Sequence, residues 1–383
     1  PTVHYLEETL ALLEGYRLDE EVSALATASG MAAVFMATNP FLEKPASGMN
    51  IVASVRCYGG TFMLFNERYG AERDIEIRWV RDPLDIEEWQ AKIDGGTRFL
   101  FGETPSNPLL SIMDVAAVAR VAHDAGVPLI VDSTVATPAL LRPLSLGADI
   151  VVHSTTKSMT ASGFAIGGAV IARHDITTKV GPQEMRDNFA MYVKLLPFRD
   201  HGPSVSPFNA LMTINDLRTL RHRMDRMSST AMRVAEFLES HDSVDRVGYP
   251  GLHSHPGYEV AAETMWLADG YDDYGAEVNR FGHLLSFEVS VGPRAAREVF
   301  DGFDMIWRAT DLGRIKSVAT IPAISTHQQQ GDDGRALASL PPNLIRLNVG
   351  AEHSSDIIDD LDQALARLEG RSVSKMAGAT EGG

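Results

Sequence analysis

The sequence predicts an α/β protein whose central sheet is mostly parallel and covered by helices on both faces, with a smaller α+β unit at the carboxyl end. Three observations support this prediction. From about Ser23 to Ala172, short apolar runs alternate with helical patterns. The runs are continuously apolar, which is typical of parallel strands buried on both faces. After about residue 220 the pattern of strands and helices changes, which indicates a second unit.

The first half of the chain supplies the predicted parallel sheet. Its strands are predicted at Ser23–Thr27, Ile51–Ser54, Arg98–Phe101, Val127–Val131 and Asp149–Val152. Helices are predicted between them at Met31–Met36, Ile86–Ile93 and Val115–Ala125. Asp85 precedes the second helix and Gly126 follows the third, as helix start and stop signals do.

The second half supplies the predicted α+β unit. Helices are predicted at Met224–Leu238, Ala295–Phe300 and Ser354–Leu368, and strands at Val244–Val247, Leu284–Val289 and Ile345–Val349. Apolar and polar residues alternate in 284–289, which predicts a half-exposed strand. The tail from Ser372 to Gly383 is small and polar, so we expect it to be mobile.

Composition excludes several classes of partner. The 383 residues carry a formal net charge of −17, and an acidic surface repels nucleic acid and anionic membranes. The single cysteine, Cys57, cannot form an internal disulfide, which fits a cytoplasmic, reducing environment. No apolar run is long enough to span a membrane. The chain begins with Pro1 rather than Met, so we expect further residues before it.

Two charged residues follow neighbouring strands of the predicted sheet. Asp132 directly follows one apolar strand, and Lys157 follows the next strand within a few residues. Open parallel sheets bind ligands at the carboxyl ends of their strands. Pyridoxal phosphate (PLP) needs such a pair: a lysine for the Schiff base and a carboxylate for the pyridinium nitrogen. Taken singly, an Asp at a turn and a solvated Lys are also ordinary structural residues.

Other polar groups near these strands suit a phosphate. Ser154 and Thr156 bracket Lys157 with hydroxyl donors. The Ser29–Met31 segment lies at a strand-to-helix turn, where free N–H groups and the helix dipole favour an anion. No metal site is predicted, because His253 and His255 lack an obvious third ligand and Pro256 indicates a solvated loop.

Several segments, in this order, resemble the Cys/Met-metabolism PLP-dependent enzymes: the cystathionine synthases and lyases, methionine γ-lyase and homocysteine synthase. The segments are Tyr58–Thr61, Phe101–Pro108, Val131–Thr134, His153–Lys157, Pro322–His327 and Leu344–Gly350. The resemblance extends from Ser29 to about Leu368. It implies the aspartate-aminotransferase-like, type I fold of PLP enzymes.

The resemblance also implies a role for each matching residue. Lys157 would carry PLP, Asp132 would hold the ring nitrogen, and Tyr58 would stack on the ring and assist the leaving group. Gly30 and Met31, with Ser154 and Thr156, would hold the phosphate, Asn107 would contact the ring hydroxyl oxygen, and Arg346 would bind the substrate α-carboxylate. By strand alternation, Arg346 could instead lie on an exposed face.

The segment Asp311–Gly313 departs from the family, which carries Ser or Asn at the position of Asp311 near the substrate carboxylate. One interpretation is that Asp311 pairs with a cation and tunes the substrate. The other is a solvent-facing Asp in a shifted loop. An unpaired buried anion is costly, so these are the two arrangements to expect.

The chain is predicted to have four parts, and the resemblance implies an oligomer. We expect an amino-terminal segment at 1–20, a PLP-binding domain at 21–220, an α+β domain at 221–370 and a mobile tail at 371–383. Family sites are completed across a subunit interface, by a Tyr and an Arg that precede the first residue here. A homotetramer, built as a dimer of dimers, is therefore predicted.

Within the family, the segment Asp200–Ala210 looks closest to the O-acetylhomoserine sulfhydrylases. This likeness implies γ-replacement on an activated homoserine, a small amino-acid substrate, in methionine biosynthesis. Two alternatives stay open: a γ-lyase acting on methionine, cystathionine or a related amino acid, and a non-catalytic member of the fold. The presence of Lys157, Asp132, Tyr58 and Arg346 speaks against the last.

Overall fold

The computed structural model describes residues 1–43 and 47–368. Within them, the strands are β1 Val22–Thr27, β2 Asn50–Ser54, β3 Glu76–Val80, β4 Thr97–Glu103, β5 Leu129–Asp132, β6 Ile150–His153, β7 Gly168–Arg173, β8 Val244–Gly248, β9 Trp266–Tyr271, β10 Glu277–Asn279, β11 Leu284–Val289, β12 Trp307–Arg308, β13 Val318–Thr320 and β14 Leu344–Asn348. The α-helices are α1 Thr2–Glu14, α2 Gly30–Thr38, α3 Gly59–Met63, α4 Ile86–Ala91, α5 Val115–Asp124, α6 Gln183–Asp187, α7 Phe189–Leu195, α8 Pro197–His201, α9 Pro207–Leu217, α10 Leu220–Glu239, α11 Tyr258–Thr264, α12 Pro293–Asp301, α13 Gly331–Leu337 and α14 Ser354–Leu365. A π-helix, Leu64–Ala71, continues α3.

The larger sheet has seven strands in the order β1-β7-β6-β5-β4-β2-β3. Strands β2 to β6 pair in parallel, and β7 runs antiparallel to both of its neighbours. The predicted mostly parallel sheet is confirmed. Because the carboxyl ends of β4, β5 and β6 meet at one edge, residues that follow these strands lie close together.

Helices cover both faces of this sheet, which explains the continuously apolar strands. Successive strand residues point to opposite faces. Val131 and Val151 belong to one apolar cluster, which α1, α5, α9 and α10 complete. Ile130 and Val152 belong to a second cluster on the other face, which α2, α7 and the π-helix complete.

The smaller sheet has five strands in the order β12-β13-β14-β11-β8. Helices α10, α12 and α14 pack on one face through an apolar cluster that includes Leu285 and Phe287 of β11. The prediction that 284–289 is half-exposed is wrong, because the other face is also covered. Leu284 packs there against Leu110 and Val135, which lie beyond the ends of β4 and β5 in the larger unit.

Most predicted elements exist, with ends shifted by a few residues. Strands β3, β7, β12 and β13 and the hairpin of β9 and β10 had no counterpart among the predicted elements. The boundary at residue 220 stays a prediction, and the tail at 371–383 lies outside the described residues. No helix in the described ranges is both long and apolar enough to cross a membrane.

Candidate active site

One cavity of about 330 Å³ lies where the carboxyl ends of β4, β5 and β6 face the smaller sheet. All ten predicted site residues line it: Gly30, Met31, Tyr58, Asn107, Asp132, Ser154, Thr156, Lys157, Asp311 and Arg346. It is also lined by Ser29, Val34, Thr61, Glu103, Thr134, Val135, Thr310, Leu312 and Thr326. The structure therefore brings the predicted residues together, while their chemical roles remain predictions.

The amino terminus of α2 forms one end of the cavity. Ser29 caps the helix by accepting a hydrogen bond from the N–H of Ala32 at 3.1 Å. The first N–H groups of a helix have no partner within the helix, so those of Gly30 and Met31 are available to an anion. A Cβ at Gly30 would lie 2.6 Å from the Cβ of Ser154, so only glycine permits this approach. This end fits a phosphate.

Different hydrogen bonds hold Ser154 and Thr156 in place beside Lys157. The Oγ1 of Thr156 donates to the carbonyl of Gly167 at 3.0 Å and accepts from its N–H at 3.1 Å. The backbone N–H of Ser154 donates to Thr134 Oγ1 at 2.8 Å. Thr156 therefore has a structural function besides its predicted contact with the phosphate.

Asp132 ends β5 and is buried in the wall of the cavity. Its Oδ1 accepts from the N–H of Thr134 at 3.0 Å and from the Thr134 hydroxyl at 2.6 Å. Both bonds go to Oδ1, so Oδ2 is the oxygen that can meet a ring N–H. Burial raises the pKa of Asp132, against the opposing effect of the Thr134 bonds. A cationic ring nitrogen would stabilise this carboxylate, which fits PLP.

Glu103 is a second buried carboxylate, and no role was predicted for it. It ends β4 directly beside Asp132 in the parallel register. Burial, and next the charge of Asp132, raise its pKa well above the usual range. One carboxylate oxygen accepts from the N–H of Tyr58 at 2.6 Å, and the other accepts from the N–H of Asn107 at 2.7 Å. Glu103 therefore joins the two loops that present these side chains.

Tyr58 precedes α3 and presents a ring that is 39% exposed toward the cavity. A Cβ at Gly60 would lie 2.6 Å from Cε1 of the Tyr58 ring. A glycine at position 60 therefore lets the ring lie over the start of α3. An exposed aromatic ring beside Lys157 and Asp132 is suited to stacking on a planar ligand.

Arg346 lies in the middle of β14 and is 0% exposed, so the alternative that it lies on an exposed face is wrong. Its Nη1 donates to Asn107 Oδ1 at 3.1 Å, and its Nη2 donates to the carbonyls of Thr310 and Asp311 at 2.9 and 2.7 Å. Its Nε is buried and has no hydrogen-bond partner. Burial lowers the pKa of Arg346 to about 10, although Asp311 and Tyr58 oppose this.

No carboxylate of the described chain forms an ion pair with Arg346. A buried guanidinium held by neutral oxygens, with its Nε–H lacking a partner, can donate hydrogen bonds to a carboxylate of a ligand. This arrangement fits the predicted binding of an α-carboxylate.

Asp311 contacts two cations. Its Oδ1 lies 3.0 Å from Lys157 Nζ, and its Oδ2 pairs with Arg314 Nε. The side chains of Lys157 and Asp311 are 26% and 29% exposed. Burial opposes the negative charge, but Lys157, Arg314 and the N–H of Leu312 together lower the pKa of Asp311. The interpretation of Asp311 as a solvent-facing residue in a shifted loop is wrong.

Two other residues considered above lie outside this cavity. His255 is buried and its Nδ1 accepts from the N–H of Gly257 at 3.0 Å, so the predicted solvated loop is wrong at this residue. It is buried because it lies in the crevice between the two sheets, beside Arg56 and Ser286. Cys57 is buried in the apolar cluster behind the larger sheet.

The chain is similar to known proteins in both sequence and structure. A family model described as "Cys/Met metabolism PLP-dependent enzyme" matches residues 1–366. The O-acetyl-L-homoserine sulfhydrylase of Leptospira meyeri is 36% identical, over 96% of this chain and 84% of that protein. The O-succinylhomoserine sulfhydrylase of Mycobacterium tuberculosis (strain H37Rv) is 37% identical, over 96% of this chain and 82% of that protein.

A solved structure from Campylobacter jejuni, provisionally assigned as an O-acetylhomoserine (thiol)-lyase, is also similar. Its TM-score is 0.83 at 33% identity, over 96% of this chain and 86% of that one. It carries N'-pyridoxyl-lysine-5'-monophosphate. The predicted type I fold is thus confirmed.

Proposed function

The chain belongs to the Cys/Met metabolism PLP-dependent enzymes, and from this premise we propose that it catalyses γ-replacement on an O-acylated homoserine, with a sulfur nucleophile replacing the acyloxy group. The observation that carries the proposal is the convergence of Lys157, Asp132, Tyr58 and Arg346 on one cavity. The similarity of the chain to O-acetyl-L-homoserine and O-succinylhomoserine sulfhydrylases supports this class of substrate. We favour the O-acetyl ester.

The larger sheet would hold the cofactor. Lys157 would form the covalent bond, Asp132 would keep the ring nitrogen protonated, and Tyr58 would stack on the ring. The helix terminus at Gly30 and Met31, together with Ser154 and Thr156, would bind the phosphate. When bound, PLP withdraws electrons from the substrate carbons and so permits loss of protons beside the amino group.

The smaller sheet would hold the substrate. Arg346 would bind the α-carboxylate with its unused Nε and would orient the Cα–H bond toward Lys157. Lys157, once released by the substrate amine, would accept the α proton. Tyr58 lines the same cavity, and its hydroxyl would assist the departing acyloxy group. Asn107 would contact the ring hydroxyl oxygen while its Oδ1 holds Arg346.

The proposal is tested by incubating the PLP-loaded protein with O-acetylhomoserine and sulfide, and separately with O-succinylhomoserine. Homocysteine formation that requires sulfide supports replacement. Parallel incubations with methionine or cystathionine alone test the γ-lyase alternative, whose products are a 2-keto acid and ammonia. If no product forms in any mixture while PLP is bound, the non-catalytic alternative is correct.

Two finer statements belong to the same proposal. The family resemblance supports a homo-oligomer, with a dimer of dimers as the expected assembly, and light scattering of the active protein tests it. A cytoplasmic location fits the single buried Cys57, and fractionation of cells tests it.

A further inference from the structure

The segment from Thr310 to Arg314 contacts both of the cations proposed to act on the substrate. Its carbonyls at Thr310 and Asp311 hold the guanidinium of Arg346 at 2.9 and 2.7 Å. The side chain of Asp311 reaches the other way and holds Lys157 Nζ at 3.0 Å. One short loop therefore fixes the distance between the lysine and the arginine.

This loop is fixed against the backbone of Lys157. Gly313 has φ +79°, and a Cβ there would lie 2.3 Å from the backbone N of Ser158 and 2.6 Å from the carbonyl carbon of Lys157. Its N–H donates to Asn348 Oδ1 at 2.7 Å. Asp311 is therefore held in place beside the lysine by contacts that do not involve its own side chain.

Arg314 fixes the carboxylate itself. Its Nε pairs with Asp311 Oδ2, so Oδ1 is turned to Lys157 and to the N–H of Leu312 at 2.9 Å. The guanidinium of Arg314 passes over Gly163, where a Cβ would collide with Nη1. An Asp anchored in this way offers Lys157 a negative charge at a defined position.

We propose that Asp311 is a positioning residue that stabilises the protonated form of the Lys157 nitrogen and directs it into the cavity. This inference rests on the proposed function of Lys157 as the lysine that bears the cofactor. The other charged or titratable groups that line the cavity are Asp132, Glu103, Tyr58 and Arg346. Arg314 pairs with Asp311 behind it, and His283 and Arg223 bond to Ser158, the residue after Lys157. Of the three carboxylates that line the cavity, Asp132, Glu103 and Asp311, Asp311 is the one that contacts Lys157 directly.

The consequence concerns the proton taken from the substrate. The lone pair of the Lys157 amine forms the new N–H bond, while the electrons of the broken Cα–H bond stay with the substrate. Asp311 remains a carboxylate throughout and stabilises the resulting ammonium. The same nitrogen can then return the proton during the turnover, because the ion pair keeps it beside the substrate rather than in bulk water.

The test is a spectroscopic pH titration of the PLP-loaded protein. The visible band of lysine-bound PLP changes wavelength when the linking nitrogen gains a proton. An opposite charge within about 4–6 Å shifts a pKa by about 1–3 units. In Asp311→Asn, which removes the charge and keeps the shape, we expect the midpoint to fall by about one pH unit or more. Asp311→Glu keeps a carboxylate and should bring the midpoint part of the way back to the wild-type value. Asp311→Ser replaces Asp311→Asn if the Asn variant does not fold.

The matched control is Asp362→Asn, which neutralises an exposed carboxylate on α14 and should leave the midpoint unchanged. A wild-type midpoint in both Asp311→Asn and Asp311→Ser would overturn the inference. A raised KM without a shift in the midpoint would also overturn it, since Asp311 would then support only Arg346. Failure of the proposed function is distinct: the band would be missing from the wild-type protein or would survive in Lys157→Ala.

Discussion

The two walls of the cavity differ in the charged groups that each buries. The wall formed by the larger sheet carries two neighbouring buried carboxylates, Asp132 and Glu103, whose pKa values are raised by burial. The wall formed by the smaller sheet carries the fully buried Arg346, whose pKa is lowered by burial, and Asp311, which pairs with Arg314. Each wall holds charges that burial alone would disfavour.

This difference separates two tasks. Buried carboxylates favour a cationic ring nitrogen, and a buried guanidinium favours a carboxylate, so each wall selects a different partner. Lys157 follows β6 in the wall of the larger sheet and contacts Asp311 on the opposite wall. We therefore expect substitutions in the first wall to change the binding and reactivity of PLP. Substitutions in the second wall should change substrate binding and the protonation of Lys157.

The largest effect is expected at Lys157, which contacts both PLP and the opposite wall in the proposed function. Lys157→Ala removes both the covalent attachment and the proton acceptor, and general acid–base catalysis alone contributes about 10²–10⁴-fold. We expect turnover of O-acetylhomoserine to fall by about 10³-fold or more, with loss of the visible band. Lys92→Ala, a change directly after α4 and away from the cavity, is the control and should retain both. Near-normal turnover in Lys157→Ala would exclude this lysine.

The next effect tests the first wall. Asp132→Asn keeps the shape but removes the charge that holds the ring nitrogen protonated, so turnover should fall by roughly 10²-fold while some PLP stays bound. Turnover and bound PLP are measured on the same preparation. If turnover stays near the wild-type value, the proposed electrostatic role of Asp132 is refuted.

A smaller effect tests the second wall. Arg346→Ala should raise KM for the amino-acid substrate by an amount equal to about 2–5 kcal/mol, which is typical when one member of a desolvated charge pair is removed. The spectrum of bound PLP should not change. Arg346→Lys keeps the positive charge but lacks the planar guanidinium group, so its KM should lie between those of the wild type and Arg346→Ala. An unchanged KM in Arg346→Ala would remove this residue from the substrate site.

The smallest effect concerns the joint between the loops of Tyr58 and Asn107. Glu103→Gln supplies one acceptor oxygen where the carboxylate supplies two, so one buried backbone N–H loses its partner. The free energy of unfolding should fall by about 1–3 kcal/mol, measured by urea denaturation. The exposed change Glu87→Gln on α4 is the control. Equal stability of the two variants would show that Glu103 does not hold both loops.

The first wall was the more predictable part of the site. Asp132 and Lys157 follow neighbouring strands of a parallel sheet, and the topology of such sheets brings these ends together. Glu103 lay within the segment that resembles the family, yet its function depends on two loops that meet only in the fold. Its place directly after an apolar strand was the available signal.

The second wall was less predictable because its contacts join distant parts of the chain. The alternation of residues along β14 is compatible with an exposed Arg346. The sequence alone does not show that the larger unit covers that face of the smaller sheet. The partner of Asp311, Lys157, is 154 positions away. Arg314 lies only three residues from Asp311, but the open space over Gly163 that admits its guanidinium depends on the tertiary fold.

The most direct test of the central claim locates the cofactor chemically. The PLP-loaded protein is reduced with borohydride, which makes the bond between lysine and PLP permanent, and is then digested and analysed by mass spectrometry. We expect a pyridoxyl phosphate adduct on Lys157, which lies in the same cavity as Asp132 and Arg346. An adduct on another lysine, or its absence from the peptide that contains Lys157, would contradict it.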